Sequence, residues 1–291
     1  MLQVPPSHKT YFMDLPLARL HILETGRGAP LIMVPATISE LENWLPLAQF
    51  MGQWFHVYFF ELPGHGQSEP LREPFSSQSV AQLIEQLADR LGFRRFSLMG
   101  FSFGGILAMQ TFKRLSPRID RVVFLAPCLD HRALPFSSFR LSVLYKFNRF
   151  LSDPKIQEYF CDLIHNEFTV SLVVRLLQKL GHLENTKPLR KKLLHTAPST
   201  ISVLNAQIHE ILTAEFEVAP VKHQTPCYFA MSVYDPLLRF DITLNVVYNH
   251  FENVKSVPLF YPFHQPPGAF TYDELNRNFY KTVDDFMGLS A

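Results

Sequence analysis

The strongest constraint on the fold is a repeated alternation between short apolar runs and longer amphipathic ones. Leu31–Val34, Phe55–Phe60, Phe96–Met99 and Val122–Ala126 are near-continuous apolar runs of strand length, as parallel strands buried on both faces require. Between them, Val80, Leu83, Ile84, Leu87 and Leu91 recur at helical spacing, and Gly92 follows as a stop. Ile106–Leu115, ending ahead of Pro117, predicts a second helix. Alternation of this kind builds a parallel sheet with helices on both faces. Ahead of it, the runs TYFMD and ARLHIL, split by Leu15-Pro16, predict an antiparallel hairpin at the sheet edge.

The rhythm breaks after Pro127. From about 130 to 222, leucines and aromatics fall at helical spacing, as in Phe139–Leu151, Ile156–Phe168 and Val170–Leu180, with no convincing strand. Strand-like runs resume at Cys227–Met231 and Val254–Phe260, and Tyr272–Met287 closes the chain as a helix with Leu275, Phe279, Val283 and Phe286 on one face. The expectation is an α/β core over 1–129 and 223–291. A helical cap over 130–222 is inserted between the sixth and seventh strands.

Charge and cysteine usage remove several function classes. The chain has 27 Lys+Arg against 26 Asp+Glu, which leaves no general basic field for nucleic acid or an anionic membrane, so any partner must be recognised locally. Cys128, Cys161 and Cys227 form no CxxC pair, against a disulfide scaffold or a structural zinc site. No metal-ligand spacing or phosphate-cradling glycine loop is present, so no cofactor is expected. The start MLQVPPSHKTYF lacks the pattern of a secretory signal. No apolar run reaches transmembrane length either, and the expected location is cytoplasmic.

Three segments place polar residues just past the C-terminal ends of expected strands, where open α/β sheets put their ligands. In Gly100-Phe-Ser-Phe-Gly104-Gly105, a sharp strand-to-helix turn would expose Ser102, with glycines giving clearance on either side. The amide of Phe103, at the helix N-terminus, could hold a developing oxyanion. Asp235 lies in Tyr234-Asp235-Pro236 and His264 in Phe263-His264-Gln265. A serine hydroxyl needs an imidazole to take its proton, and a carboxylate fixes the imidazole tautomer. Each residue has a plainer reading: Ser102 as a helix cap, Asp235 as a turn residue, His264 as one of twelve ordinary histidines. Asp130 is the alternative acid and His250 the alternative base.

These motifs resemble those of the α/β-hydrolase superfamily. Phe60-Glu-Leu-Pro-Gly-His-Gly-Gln-Ser68 is similar to the family's D-x-P-G-x-G-x-S segment, with Glu61 for Asp. Ser232-Val-Tyr-Asp-Pro236 resembles its acid turn, with Ser232 for Gly. The usual His-Gly after the third strand is replaced by Pro35-Ala36-Thr37. Proline has no amide to donate, so the resemblance points to Thr37 as the second oxyanion donor, with Ile38 behind it. It implies a mostly parallel, eight-stranded sheet with a helical cap, and a triad of Ser102, His264 and Asp235. The implied activity is serine hydrolysis of an ester or thioester with a small to medium apolar acyl or aryl group.

Phe101 and Ile38 would line the substrate pocket, and the cap's Phe139 and Phe147 would cover it. Carbon–carbon bond hydrolysis and acyl transfer can use the same triad. A rival of another class is a non-catalytic binder with a decayed oxyanion site. Lys187, Arg190, Lys191 and Lys192 form one basic run that could meet an anionic head group, and the chain is expected to be a monomer or homodimer.

Overall fold

The structure of the protein, a computed structural model, describes residues 4–37, 39–165, 171, 198–264 and 271–288. Ile38, Lys187, Arg190, Lys191, Lys192 and nearly all of the expected 170–180 helix lie outside the described residues. The chain divides into two compact units, Met1–Ser137 with Glu210–Ala291, and Ser138–His209.

The first unit is built on one eight-stranded sheet. Its strands are β1 (His8–Asp14), β2 (Arg19–Gly26), β3 (Ala29–Val34), β4 (Phe55–Phe60), β5 (Phe96–Phe101), β6 (Ile119–Leu125), β7 (Cys227–Ser232) and β8 (Val254–Leu259). The spatial order is β1-β2-β4-β3-β5-β6-β7-β8. β1 pairs with β2, and β2 with β4, antiparallel; every later pairing is parallel. The expected edge hairpin is therefore present, and β3 sits between β4 and β5 at the point where the order reverses. Such a switch opens a crevice at the carboxyl ends of the strands. β5 and β7 are buried along their whole length, which is why they read as near-continuous apolar runs.

Helices cover the sheet: α1 (Leu41–Met51), α2 (Ser77–Arg90), α3 (Gly104–Leu115), α7 (Phe240–His250) and α8 (Tyr272–Met287). In α2 the side chain of Ser76 accepts from the Ser79 amide at 3.0 Å, and Val80, Leu83, Ile84 and Leu87 are buried. Neither α1 nor α7 is expected from periodicity. Pro46 stands inside α1, and the β-branched Ile242, Thr243, Val246 and Val247 of α7 resemble a strand composition.

The second unit contains α4 (Ser138–Phe150), α5 (Pro154–His165) and most of α6 (Pro198–Thr213). The buried Asn148 amide donates to the Asn205 carbonyl and side-chain oxygen, both at 2.8 Å. The division is narrower than 130–222. On the 130 side, His131 N donates to Ala214 O at 2.8 Å within the first unit. No described helix is long and apolar enough to cross a membrane.

Candidate active site

Ser102 occupies the turn between β5 and α3 with φ of 52°, a left-handed conformation that costs a side-chain-bearing residue energy. Backbone bonds hold it there. Ser102 N donates to Leu125 O of β6 at 3.0 Å, and the amides of Gly105 and Cys128 donate to Ser102 O at 2.9 and 2.8 Å.

The flanking glycines follow from space. A Cβ on Gly100 would lie 2.3 Å from Gly104 O, one on Gly104 2.5 Å from Pro35 O, and one on Gly105 2.4 Å from the Pro127 Cβ. The first turn of α3 thus sits against the loop that follows β3. Because the obstacle at Gly104 is backbone, Gly104→Ala is expected to cost about 1–3 kcal/mol of stability. Urea unfolding measures this, and an unchanged midpoint would show that the loop can yield.

Beyond β7 and β8, two turns bring Asp235 and His264 to Ser102. With the ring proton on Nδ1, His264 donates to Asp235 Oδ2 at 2.7 Å, and the Ser102 hydroxyl donates to His264 Nε2 at 2.8 Å. Asp235 Oδ1 accepts from the amides of Leu237 and Leu238 at 2.8 and 3.1 Å. The Asp235 side chain is 0% exposed and that of His264 13%, so the carboxylate faces the imidazole rather than water. Burial and then the nearby Asp235 charge push the Tyr261 phenol up to about 12.

The two alternatives are placed elsewhere. Asp130 is spent on Arg132, with Oδ1 2.9 Å from Nε and Oδ2 bonded to Nη2. His250 is buried, with Nδ1 2.8 Å from Val246 O of its own helix. Burial, and then Asp130, push the Cys128 thiol up to about 12, so it is no rival nucleophile.

Two arrangements here have no signal in residue spacing. Ser232, which stands where the family usually has Gly, donates its hydroxyl to Tyr261 O and accepts from Tyr234 N at 3.1 Å. It fastens the turn carrying Asp235 to the one leading into His264. The second is a buried polar knot around Glu61. Its Oε2 accepts from Gln67 N at 2.6 Å and lies 3.1 Å from His21 Nδ1, while Oε1 accepts from Leu41 N at 3.2 Å. Ser39 Oγ accepts from Leu62 N at 3.0 Å.

Together these bonds tie the segment after β3, which carries Thr37, to the turn after β4. A Cβ on Gly66 would come within 2.3 Å of the Glu61 carboxylate oxygens, so the long acid fits only against glycine. Glu61→Ala would leave two amides and His21 without their acceptor. It is expected to cost about 3 kcal/mol, read as a lowered urea midpoint.

Phe103 lies at the N-terminal boundary of α3, where backbone amides have no helix carbonyl to meet. Thr37 is half-buried in the loop after β3. The Phe101 ring is buried against Trp44 and His264, at centroid distances of 5.1 and 5.6 Å. With His264, Phe50, Val123, Leu275 and Phe279 it also borders an apolar cavity of about 480 Å³ between the sheet and helices α1 and α8, a lining that does not include Ser102. Phe139 and Phe147 lie on α4 and are exposed.

Residues 29–160 match the family model described as the alpha/beta hydrolase fold. The chain is similar to the pimeloyl-[acyl-carrier protein] methyl ester esterase of Nitrosomonas europaea, 32% identical over 119 residues, 40% of this chain and 45% of that protein. It is also similar to the (E)-2-((N-methylformamido)methylene)succinate hydrolase of Acinetobacter baylyi, 28% identical over 87 residues, 30% of this chain and 33% of that one. The chain thus spans less than half the length of these curated relatives. Among solved structures, a putative acyltransferase from Salmonella enterica superimposes with a TM-score of 0.68 at 20% identity, covering 96% of this chain and 95% of that one. At that identity the likeness is one of fold.

Proposed function

We propose that this chain, whose residues 29–160 match the alpha/beta hydrolase fold, is a serine hydrolase cleaving an ester or thioester through an acyl-enzyme on Ser102. One observation carries the reading: the unbroken hydrogen-bonded series Ser102, His264, Asp235. Ser102 Oγ attacks the carbonyl carbon as its proton passes to His264 Nε2. Asp235 holds the ring in the tautomer that can accept and steadies the imidazolium that forms. The amides of Phe103 and Thr37 stabilise the carbonyl oxygen as it becomes negative. His264 then returns the proton to the leaving alcohol or thiol. A water, deprotonated by the same nitrogen, releases the acid and restores Ser102.

The apolar Phe101 ring packed beside His264 supports an apolar acyl or aryl group of small to medium size. The ester-cleaving activity in the name of the Nitrosomonas relative supports the same class. A panel of p-nitrophenyl esters from acetate to palmitate, run beside fluorophosphonate labelling, tests this. Turnover peaking at short to middle chain lengths and an adduct on Ser102 are expected. Folded protein that takes no label would leave the decayed binder as the better reading.

A further inference from the structure

Helix α4 turns an apolar stripe outward. At about 100° per residue, Phe139, Phe150, Val143 and Phe147 fall within an arc of about 80°. All four are exposed, by 77%, 57%, 49% and 55%. The stripe is not the face by which α4 is held. Leu141, Tyr145 and Asn148 lie roughly opposite; Asn148 is buried on Asn205, and the Tyr145 ring stands 5.8 Å from that of His209.

The charges on the helix follow the stripe. On the same projection Arg140 falls about 20° beyond one edge and Lys146 about 20° beyond the other, with Arg149 further round. The helix sequence SFRLSVLYKFNRF holds no acidic residue. Three phenylalanines and a valine left in water, with Lys146 and Arg149 beyond one edge, are unfavourable unless something apolar with an anionic surface covers them. Lys and Arg can lay their stems along such a surface while the charged ends meet head groups.

We propose that α4 is an interfacial helix that seats this unit on an anionic lipid surface, its Phe139–Phe150 stripe at the acyl boundary and Lys146 and Arg149 among the head groups. The complementarity is of two kinds at once. A partner protein could match the apolar stripe, but the absence of any carboxylate on the helix matches a surface that is negative throughout. This inference does not depend on the hydrolase reading.

Co-sedimentation of the whole protein with phosphatidylcholine vesicles, with and without about one-third phosphatidylglycerol, tests it. Binding is expected only with the anionic lipid, to weaken with salt, and to fall roughly fivefold for each cation removed. Lys146→Glu/Arg149→Glu is expected to abolish it at moderate salt. Phe147→Ser/Phe150→Ser is expected to lower it at least about tenfold without lowering the melting temperature. Equal binding to both vesicle types, binding unchanged in either variant, or none at low salt would overturn the proposal. So would a wild-type dimer in solution that Phe147→Ser/Phe150→Ser makes monomeric, since the stripe would then be an interface between copies.

Discussion

Replacing Ser102 by alanine is expected to lower kcat on a good p-nitrophenyl ester by roughly 10⁴- to 10⁶-fold and to abolish fluorophosphonate labelling, with the fold intact. The size of the loss follows from how the site divides its work. Without the hydroxyl there is no acyl-enzyme, and His264 and Asp235 have no proton of Ser102 to move. What remains is substrate binding and whatever the amides of Phe103 and Thr37 do for a water that attacks instead.

Stability and activity should separate at this position, because Ser102 is held at φ of 52°. Ser102→Gly removes the same hydroxyl but relieves the backbone. It is expected to melt higher than the wild type, by about 1 kcal/mol of stability, while losing the same activity. An alanine variant that still turns over ester at the wild-type rate would move the nucleophile elsewhere.

Ser102 and Asp235 were legible in the residues because each follows a strand buried along its whole length; β8, ahead of His264, is only half-buried. β5 and β7 have no solvent-facing positions, so they stand out as near-continuous apolar runs, and the polar residues just after them mark the crevice. The closing helix was legible for a different reason. Thr271 accepts from Glu274 N at its start, Gly288 ends it, and Leu275, Val283 and Phe286 share its buried face. Where apolar pattern and composition disagree, legibility ends: Pro46 hides α1, and β-branched residues hide α7.

The supports of the site were not legible at all. Ser232 meets Tyr261 across 29 positions, Ser39 meets Leu62 across 23, and Glu61 meets His21 across 40. Only the fold brings these together, and nothing in their local spacing marks them. Glu61 and Ser232 do stand out as departures from the family's usual Asp and Gly. Both departures lengthen a side chain, and in both the polar end of the side chain bridges two loops of the site.

Asp235→Asn is expected to lower kcat by about 10⁴-fold while leaving KM for the same ester within a fewfold. The physical reason is the tautomer. His264 can accept from Ser102 only if its own proton is on Nδ1, and the Asp235 carboxylate at 2.7 Å holds it there. An asparagine in its place can present N–H to Nδ1, which drives the ring proton to Nε2, where it faces the serine hydroxyl and blocks the transfer. Asp130→Asn is the matched control, since Asp130 also follows a strand and is also buried.

Asp130, however, belongs to Arg132. Burial alone would raise its carboxyl, but the bonds and charge of Arg132, with His131, outweigh burial and hold it below the ordinary value of 3.8. A carboxylate lowered on folding contributes stability above its unfolded pKa and loses it as pH falls through the folded one. Asp130→Asn should therefore lower the urea midpoint at pH 7, with the deficit shrinking as the pH drops below about 3.8, and should leave kcat near wild type. Measuring kcat and the urea midpoint on both variants separates an acid that orients the base from one that holds a loop. If Asp130→Asn loses the activity and Asp235→Asn keeps it, the acid of the site is Asp130, and the 2.7 Å bond to His264 serves only to close the turn.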